Sequence, residues 1–263
     1  MTPVRTRLAP LSLALAIGLL AGCGGQPAQD AATDADATAT PAADAPTDAA
    51  DDAAASTPAS DGDEAGFTPL FDGTTLKGWH LYRKPGQPVT GWAAEDGTLV
   101  RTGESGDLMT DRDYGDFDFR FEWKISPGGN SGVLYRANED NEASYWSGVE
   151  YQVLDNDKHP DGKNGPDRHA GAVYGMYPPV GAQPKPVGEW NEGRIVARGD
   201  HVEHWLNGTK VAEYTLWTPE WKAKVAKTKF AAWPDYGMAK SGRIGLQDHG
   251  DQVSYRNLRI REL

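Results

Sequence analysis

The chain has 263 residues, a net charge of −12 and one cysteine, Cys23. A single thiol excludes disulfide staples within the chain, and beyond position 23 it excludes thiolate metal sites and cysteine nucleophiles. The acidic balance, with no concentrated basic stretch, excludes the electrostatic footprint of a nucleic-acid binder.

Residues 1–23 read as an export signal. Arg5 and Arg7 precede an apolar run from Leu11 to Leu20 that is too short to span a bilayer comfortably. The run ends in Leu20-Ala21-Gly22-Cys23, which resembles a bacterial lipobox and makes Cys23 the expected lipidation site. The alternative is an ordinary signal peptide with an incidental cysteine. Two or three acyl chains on Cys23 would anchor the protein stably to a membrane, because one chain alone binds only weakly. Gly24 carries no signal for inner-membrane retention, so the expected location is the outer membrane facing the periplasm, with surface exposure left open.

Residues 24–65 contain no aromatic and no basic side chain, and their acids, from Asp30 to Glu64, account for most of the net charge. Such a composition buries too little apolar surface to offset its ordering entropy, so this stretch is expected to be a disordered tether. A coil of about 40 residues reaches roughly 35 Å, enough to hold a domain clear of the bilayer.

Residues 66–263 have the length of one domain and hold all nine tryptophans. Short alternating runs broken by Gly, Pro, Asn and Asp predict an all-β protein, a two-sheet antiparallel jelly-roll sandwich of the concanavalin-like type. Strands are expected from Gly97 to Arg101 and from Phe117 to Lys124. The second sets Phe117, Phe119, Phe121 and Trp123 against Asp118, Arg120, Glu122 and Lys124. The turn Pro127-Gly128-Gly129-Asn130 then predicts a hairpin whose returning strand is Ser131 to Arg136. Further strands are expected at Gly148 to Leu154, Gly193 to Arg198, His201 to Leu206, Arg243 to Gln247 and Val253 to Arg261. Asn207-Gly208 is a strong two-residue turn signal, and the one helical signal starts at Pro219 with Thr218 as its cap.

Parity along the strands sorts the candidate site residues. Glu150 and Gln152 alternate with Val149, Tyr151 and Val153; Arg136 alternates with Val133 and Tyr135; Gln247 and His249 alternate with Ile244 and Leu246. If these polar faces share one concave surface, they form a cleft of sugar size. Solvated polar residues on an outer face are the competing reading. Asp155 to His159 resembles an oxygen-rich cation loop without the full spacing of a calcium motif, and a plain loop is its alternative. Asn130 and Trp190 are candidate substrate contacts, the first also suiting a turn and the second a core position.

Several motifs then occur in a telling order. They are Leu70-Phe71-Asp72-Gly73-Thr74-Thr75-Leu76-Lys77-Gly78-Trp79, Asn130-Ser131-Gly132-Val133-Leu134-Tyr135-Arg136, Glu150-Tyr151-Gln152-Val153-Leu154-Asp155, Gly171-Ala172-Val173-Tyr174, Glu189-Trp190-Asn191, His204-Trp205-Leu206-Asn207-Gly208 and Gly245-Leu246-Gln247-Asp248-His249-Gly250. The set covers nearly all of the body and resembles the 3-keto-disaccharide hydrolase family. The resemblance implies a concanavalin-like jelly roll and cleavage of glycosides already oxidised at sugar C3 by a separate oxidoreductase. A ketone at C3 acidifies the C2 proton; a base removes it, the glycosidic oxygen leaves, and water adds to the enone.

That chemistry requires a base, an enolate stabiliser and an acid for the leaving oxygen. By parity and motif position, Glu150 and His249 are the candidates for base and acid, in either order, and Arg136, with a divalent cation as a further candidate, for the enolate stabiliser. Gln152, Gln247 and Asp155 would hold hydroxyls or the metal, and His169 is an additional candidate. The competing functions are a conventional two-carboxylate glycoside hydrolase and a non-catalytic carbohydrate-binding module.

Overall fold

The structure is a computed structural model, and it describes residues 64–263. The expected signal segment, the lipidation site Cys23 and almost all of the expected tether lie outside the described residues. Among those described, no helix is long and apolar enough to cross a membrane.

In chain order the strands are β1 (Thr68–Pro69), β2 (Trp79–Leu81), β3 (Trp92–Glu95), β4 (Thr98–Arg101), β5 (Leu108–Thr110), β6 (Phe117–Ile125) and β7 (Asn130–Ala137). They continue with β8 (Val149–Leu154), β9 (Asn191–Arg198), β10 (His201–Leu206), β11 (Thr209–Thr215), β12 (Arg243–Leu246) and β13 (Val253–Glu262). They build two antiparallel sheets, as expected. One is eight-stranded, in the order β11-β10-β9-β6-β13-β4-β3 with β1 beside β13, and the other is five-stranded, in the order β2-β5-β12-β7-β8.

β6 is the spine of the larger sheet because its alternation is strict. Phe117, Phe119, Phe121, Trp123 and Ile125 point into the sandwich and are buried, each contributing roughly 1.5–3 kcal/mol by leaving water. The smaller sheet meets them with Val133 and Tyr135 of β7, Val149, Tyr151 and Val153 of β8, and Ile244 and Leu246 of β12. On the other side of β6, Asp118 is buried beneath Arg194, which grips it through two hydrogen bonds of 2.8 and 2.9 Å, and Arg261 at 3.1 Å.

The expected hairpin between residues 117 and 136 is corrected by the topology. β6 pairs with β9 and β13, whereas β7 pairs with β8 and β12 in the opposite sheet, so Pro127-Gly128-Gly129 is a crossover between layers. A turn signal fixes a reversal of direction and leaves open which strand becomes the neighbour. The Asn207-Gly208 turn does close a hairpin between β10 and β11, with both residues at positive φ, 48° and 79°, the geometry of a tight primed turn. Helix α1 (Pro219–Val225) starts where expected, the Thr218 hydroxyl accepting the Trp221 N–H at 3.1 Å.

Candidate functional site

The outer face of the smaller sheet carries the site. Register sets Leu134 opposite Glu150 and Gly132 opposite Gln152 across β7 and β8, while Gly245 lies opposite Leu134 across β12 and β7. The Gln247 N–H donates to the Gly132 carbonyl at 2.9 Å, which continues that row. Glu150, Gln152, Gly132 and Gln247 therefore share one face, opposite in parity to the core residues Val133, Tyr151 and Leu246.

Glu150 is buried, and its carboxyl leans over β7. A Cβ on Gly132 would come within 2.4 Å of Glu150 Oε1 and 2.8 Å of its Cγ. Only a glycine leaves room for the carboxyl there; the need is for close approach, since Gly132 is not among the glycines at positive φ. Burial pushes the Glu150 carboxyl up to about 8. The Lys229 ammonium and the Gln247 amide act in the opposite direction, and Asp107 and Asp161 reinforce the rise.

The same face carries further buried polar side chains. Gln152 Nε2, Gln247 Oε1 and Asn130 Oδ1 are buried and have no hydrogen-bond partner. Unpaired buried polar atoms are costly, and three of them on one face of a small sheet call for an explanation. On the side of Glu150 towards the start of β8, Lys229 Nζ lies 4.6 Å from the centre of the Tyr174 ring and 6.0 Å from that of Tyr145. Burial lowers the Lys229 ammonium and Glu150 raises it, the first effect being the larger. Half-buried Trp146 and Trp233 stack beside it with ring centres 5.7 Å apart.

Towards the other end of the face, where β7 begins, the Asn130 N–H donates to Asp251 Oδ2 at 3.0 Å. Here His159, His249 and Asp251 come together, each with one ligating atom within 4.8 Å of the others. His249 is exposed at a hollow of about 500 Å³ shared with Arg101, Glu104, Ser105 and Asp248. Although the residue is exposed overall, the packing of its ring against His159 partly desolvates the imidazole and lowers it, His159 adds to the fall, and Asp251 and Asp161 raise it.

Four expected site residues are placed elsewhere. Arg136 donates from Nε to the Gly115 carbonyl at 3.0 Å, from Nη1 to the Gly199 carbonyl at 2.9 Å and from Nη2 to Asp116 at 3.2 Å, so it ties loops together. Its backbone has φ of 50° where the β7–β12 register shifts, and strand parity does not carry through such a bulge. Trp190 lies on the larger sheet, its ring under Lys124 at 4.8 Å and Arg256 at 4.2 Å. The His169 ring pairs with the Gly162 carbonyl at 3.0 Å and braces the loop beside β8. Asp155 spends its carboxylate on the N–H groups of Gly128, Asp157 and Lys158 at 2.7, 3.2 and 3.2 Å, closing a turn, so its oxygens do not fit the metal role.

Sequence reasoning missed Lys229, Asp107 and Asp251. Lys229 opens a short 3-10 turn far along the chain, and nothing in its local pattern distinguishes it. Asp107, just ahead of β5, accepts the Asp248 N–H at 2.9 Å and also the Ser144 hydroxyl, while burial raises its carboxyl. Gly132 did leave a signal, being a glycine inside a strand.

Comparison with known proteins agrees with this architecture. The model of the 3-keto-alpha-glucoside-1,2-lyase-like domain matches residues 66–261. A protein named 3-keto-disaccharide hydrolase from Bacteroides thetaiotaomicron is 36% identical over 285 residues, covering 97% of this chain and 98% of its own. The crystal structure of an inferred glycosyl hydrolase from Parabacteroides distasonis superposes with a TM-score of 0.72 at 36% identity, covering 78% of this chain and 98% of that one. A second such structure from the same organism gives 0.59 at 30% identity, covering 75% of this chain and 99% of the other. With the family model spanning the whole sandwich, the chain belongs to the 3-keto-alpha-glucoside-1,2-lyase-like family.

Proposed function

We propose that the protein cleaves glycosides carrying a ketone at C3 of the sugar, with Glu150 as the base that removes the C2 proton. Family membership and the relative named 3-keto-disaccharide hydrolase support an enzyme acting on 3-keto sugars. The observation that carries the catalytic assignment is the Glu150 carboxyl, buried over Gly132 and pushed up to about 8. A carboxylate that binds its proton this tightly is a stronger base than an ordinary one, which suits removal of a weakly acidic C–H.

In this reading the reacting atoms lie in order along the β7–β8 direction. Glu150 takes the C2 proton, the electron pair forms the C1–C2 double bond, and the C1–O bond breaks. The Lys229 ammonium, on the side towards Trp146 and Trp233, neutralises and protonates the departing oxygen, whose aglycone lies against those aromatic rings. Water then adds its oxygen to C1 and a proton to C2, completing net hydrolysis. Gln152, Gln247 and Asn130 supply the unpaired polar atoms that hold sugar hydroxyls. The role expected of Arg136 passes to groups on the outer face of the smaller sheet.

A conventional two-carboxylate mechanism has Asp107 as the available second acid, but both of its oxygens already accept hydrogen bonds. The purified body, offered a 3-keto glucoside and its parent glucoside, is expected to release aglycone from the keto compound alone. Turnover of the parent would favour the conventional mechanism, and turnover of neither a binding module. The sugar oxidoreductase that supplies the ketone and the lipid attachment at Cys23 in the outer membrane belong to the same proposal. The latter rests on the lipobox pattern and is checked by metabolic labelling with a fatty-acid analogue.

A further inference from the structure

We propose that His159, His249 and Asp251 form a divalent transition-metal site whose open positions take the C3 ketone oxygen and a neighbouring hydroxyl of the substrate. The second half of this inference rests on the keto-sugar reading above; the first half stands on the donor set alone. His159 follows β8, whereas His249 and Asp251 come from the loop between β12 and β13. The loops bring one ligating atom of each residue within 4.8 Å of the others, and the two imidazole rings meet edge to face, with centres 5.8 Å apart and planes at 81°. Tetrahedral ligation at about 2.0–2.1 Å needs ligand atoms roughly 3.3 Å apart, so side-chain adjustments of about an ångström close the site.

Protein contacts hold part of the frame around these donors. Asp251 is fixed through Oδ2 by the Asn130 N–H, and among the described residues no hydrogen bond engages Oδ1. Asp248 accepts the Ser105 N–H at 2.9 Å and pairs with Arg101, and its own N–H donates to Asp107. Asn130, whose backbone holds Asp251, adds a second observation: among the described residues its side-chain Oδ1 is buried without a partner. A substrate hydroxyl held between the triad and Glu150 would give that oxygen a partner.

One contact opposes the site. His159 Nδ1 accepts the Asp161 N–H at 3.1 Å, so ligation through Nε2 requires the other tautomer and gives up this bond. The exchange is one hydrogen bond lost against several metal–ligand bonds gained. Two imidazoles with one carboxylate suit zinc, manganese, cobalt or iron better than calcium or magnesium, which prefer oxygen ligands. Three protein ligands leave positions free, and an α-hydroxy ketone is a two-oxygen chelator able to fill them. The site lies next to the base: the loop after β12 starts at Gln247, whose N–H donates to the carbonyl of Gly132 beneath the Glu150 carboxyl, and reaches His249 two residues on. A ketone held there would present C2 on the Glu150 side of the face.

The described residues also include a contrasting group, His201, Glu203 and Glu213. Lys210 already neutralises it, lying 3.2 Å from Glu203 and 2.6 Å from Glu213. The experiment strips the purified protein with chelator, titrates it with Co²⁺ alone, and follows the visible absorption of the ion together with calorimetry. One Co²⁺ per chain is expected, with affinity reduced about 100-fold or more in His249→Ala and in Asp251→Asn, and unchanged in His201→Ala. His249 is exposed, so its variant stays folded even if Asp251→Asn loosens the loop. Absence of Co²⁺ binding, or binding that His249→Ala leaves intact, overturns the site. Bound Co²⁺ without keto-glycoside turnover would keep the site and reject the function, and turnover by stripped protein that binds no Co²⁺ would do the reverse.

Discussion

Glu150→Gln is expected to lower turnover of a 3-keto glycoside by about a hundredfold or more while making the folded body more stable. The two effects share one cause. In the unfolded chain the carboxyl ionises near its ordinary value of 4.5, whereas in the folded protein burial over Gly132 raises it to about 8. Below pH 4.5 both states hold the proton and nothing is lost. As pH rises from there to about 8 the unfolded state ionises first, so stability falls across that window and then levels off. At 1.36 kcal/mol per unit, the penalty at pH 7 is roughly 3 kcal/mol. Glutamine resembles the protonated acid and cannot ionise, so it escapes the penalty. Thermal unfolding should show no gain near pH 4 and a gain of about 2–4 °C per kcal/mol at pH 7 and above. The wild-type kcat/KM should rise with pH through about 8, because the working form of the base is the ionised one.

Gly132→Ala is expected to be nearly as damaging to turnover without touching a titratable group. The added Cβ would sit 2.4 Å from Glu150 Oε1, which no carboxylate tolerates, so Glu150 must swing away from Gln247 and from the substrate. A displacement of about an ångström costs around a hundredfold in rate, and overpacking costs about 1–3 kcal/mol in stability. Gly245→Ala is the comparison: on the same face, its Cβ meets the flexible Met109 thioether at 2.8 Å. Equilibrium unfolding and steady-state kinetics on both variants separate strain from catalysis. Gly132→Ala should lose stability and turnover, and Gly245→Ala mainly stability.

Regular strands made much of this legible in the sequence. The alternation of Phe117 to Lys124 gives β6 and its buried face, and the alternation of Val149 to Leu154 sets Glu150 and Gln152 together on the other side. Parity fails where the backbone departs from a regular strand. Arg136 sits at a register shift with positive φ and turns its guanidinium towards Gly115 and Gly199, although counting residues puts it beside Glu150. Trp190 precedes β9, and its indole follows the charged outer face of the larger sheet. Sheet partnership was likewise hidden, because the turn after β6 does not say whether β7 returns beside it or crosses over. Lys229 reaches the site through a tertiary fold-back that no local pattern encodes.

The most direct test of Glu150 as a carbon base is the fate of a label at the carbon it attacks. A 3-keto glucoside deuterated at C2 is incubated with the enzyme, and the C2 position of the released sugar is read by mass spectrometry and NMR. Proton abstraction with passage through an enone predicts that deuterium is lost to water as the aglycone departs, and that the loss stops with Glu150→Gln. Cleavage that proceeds with the C2 deuterium fully retained would contradict the mechanism.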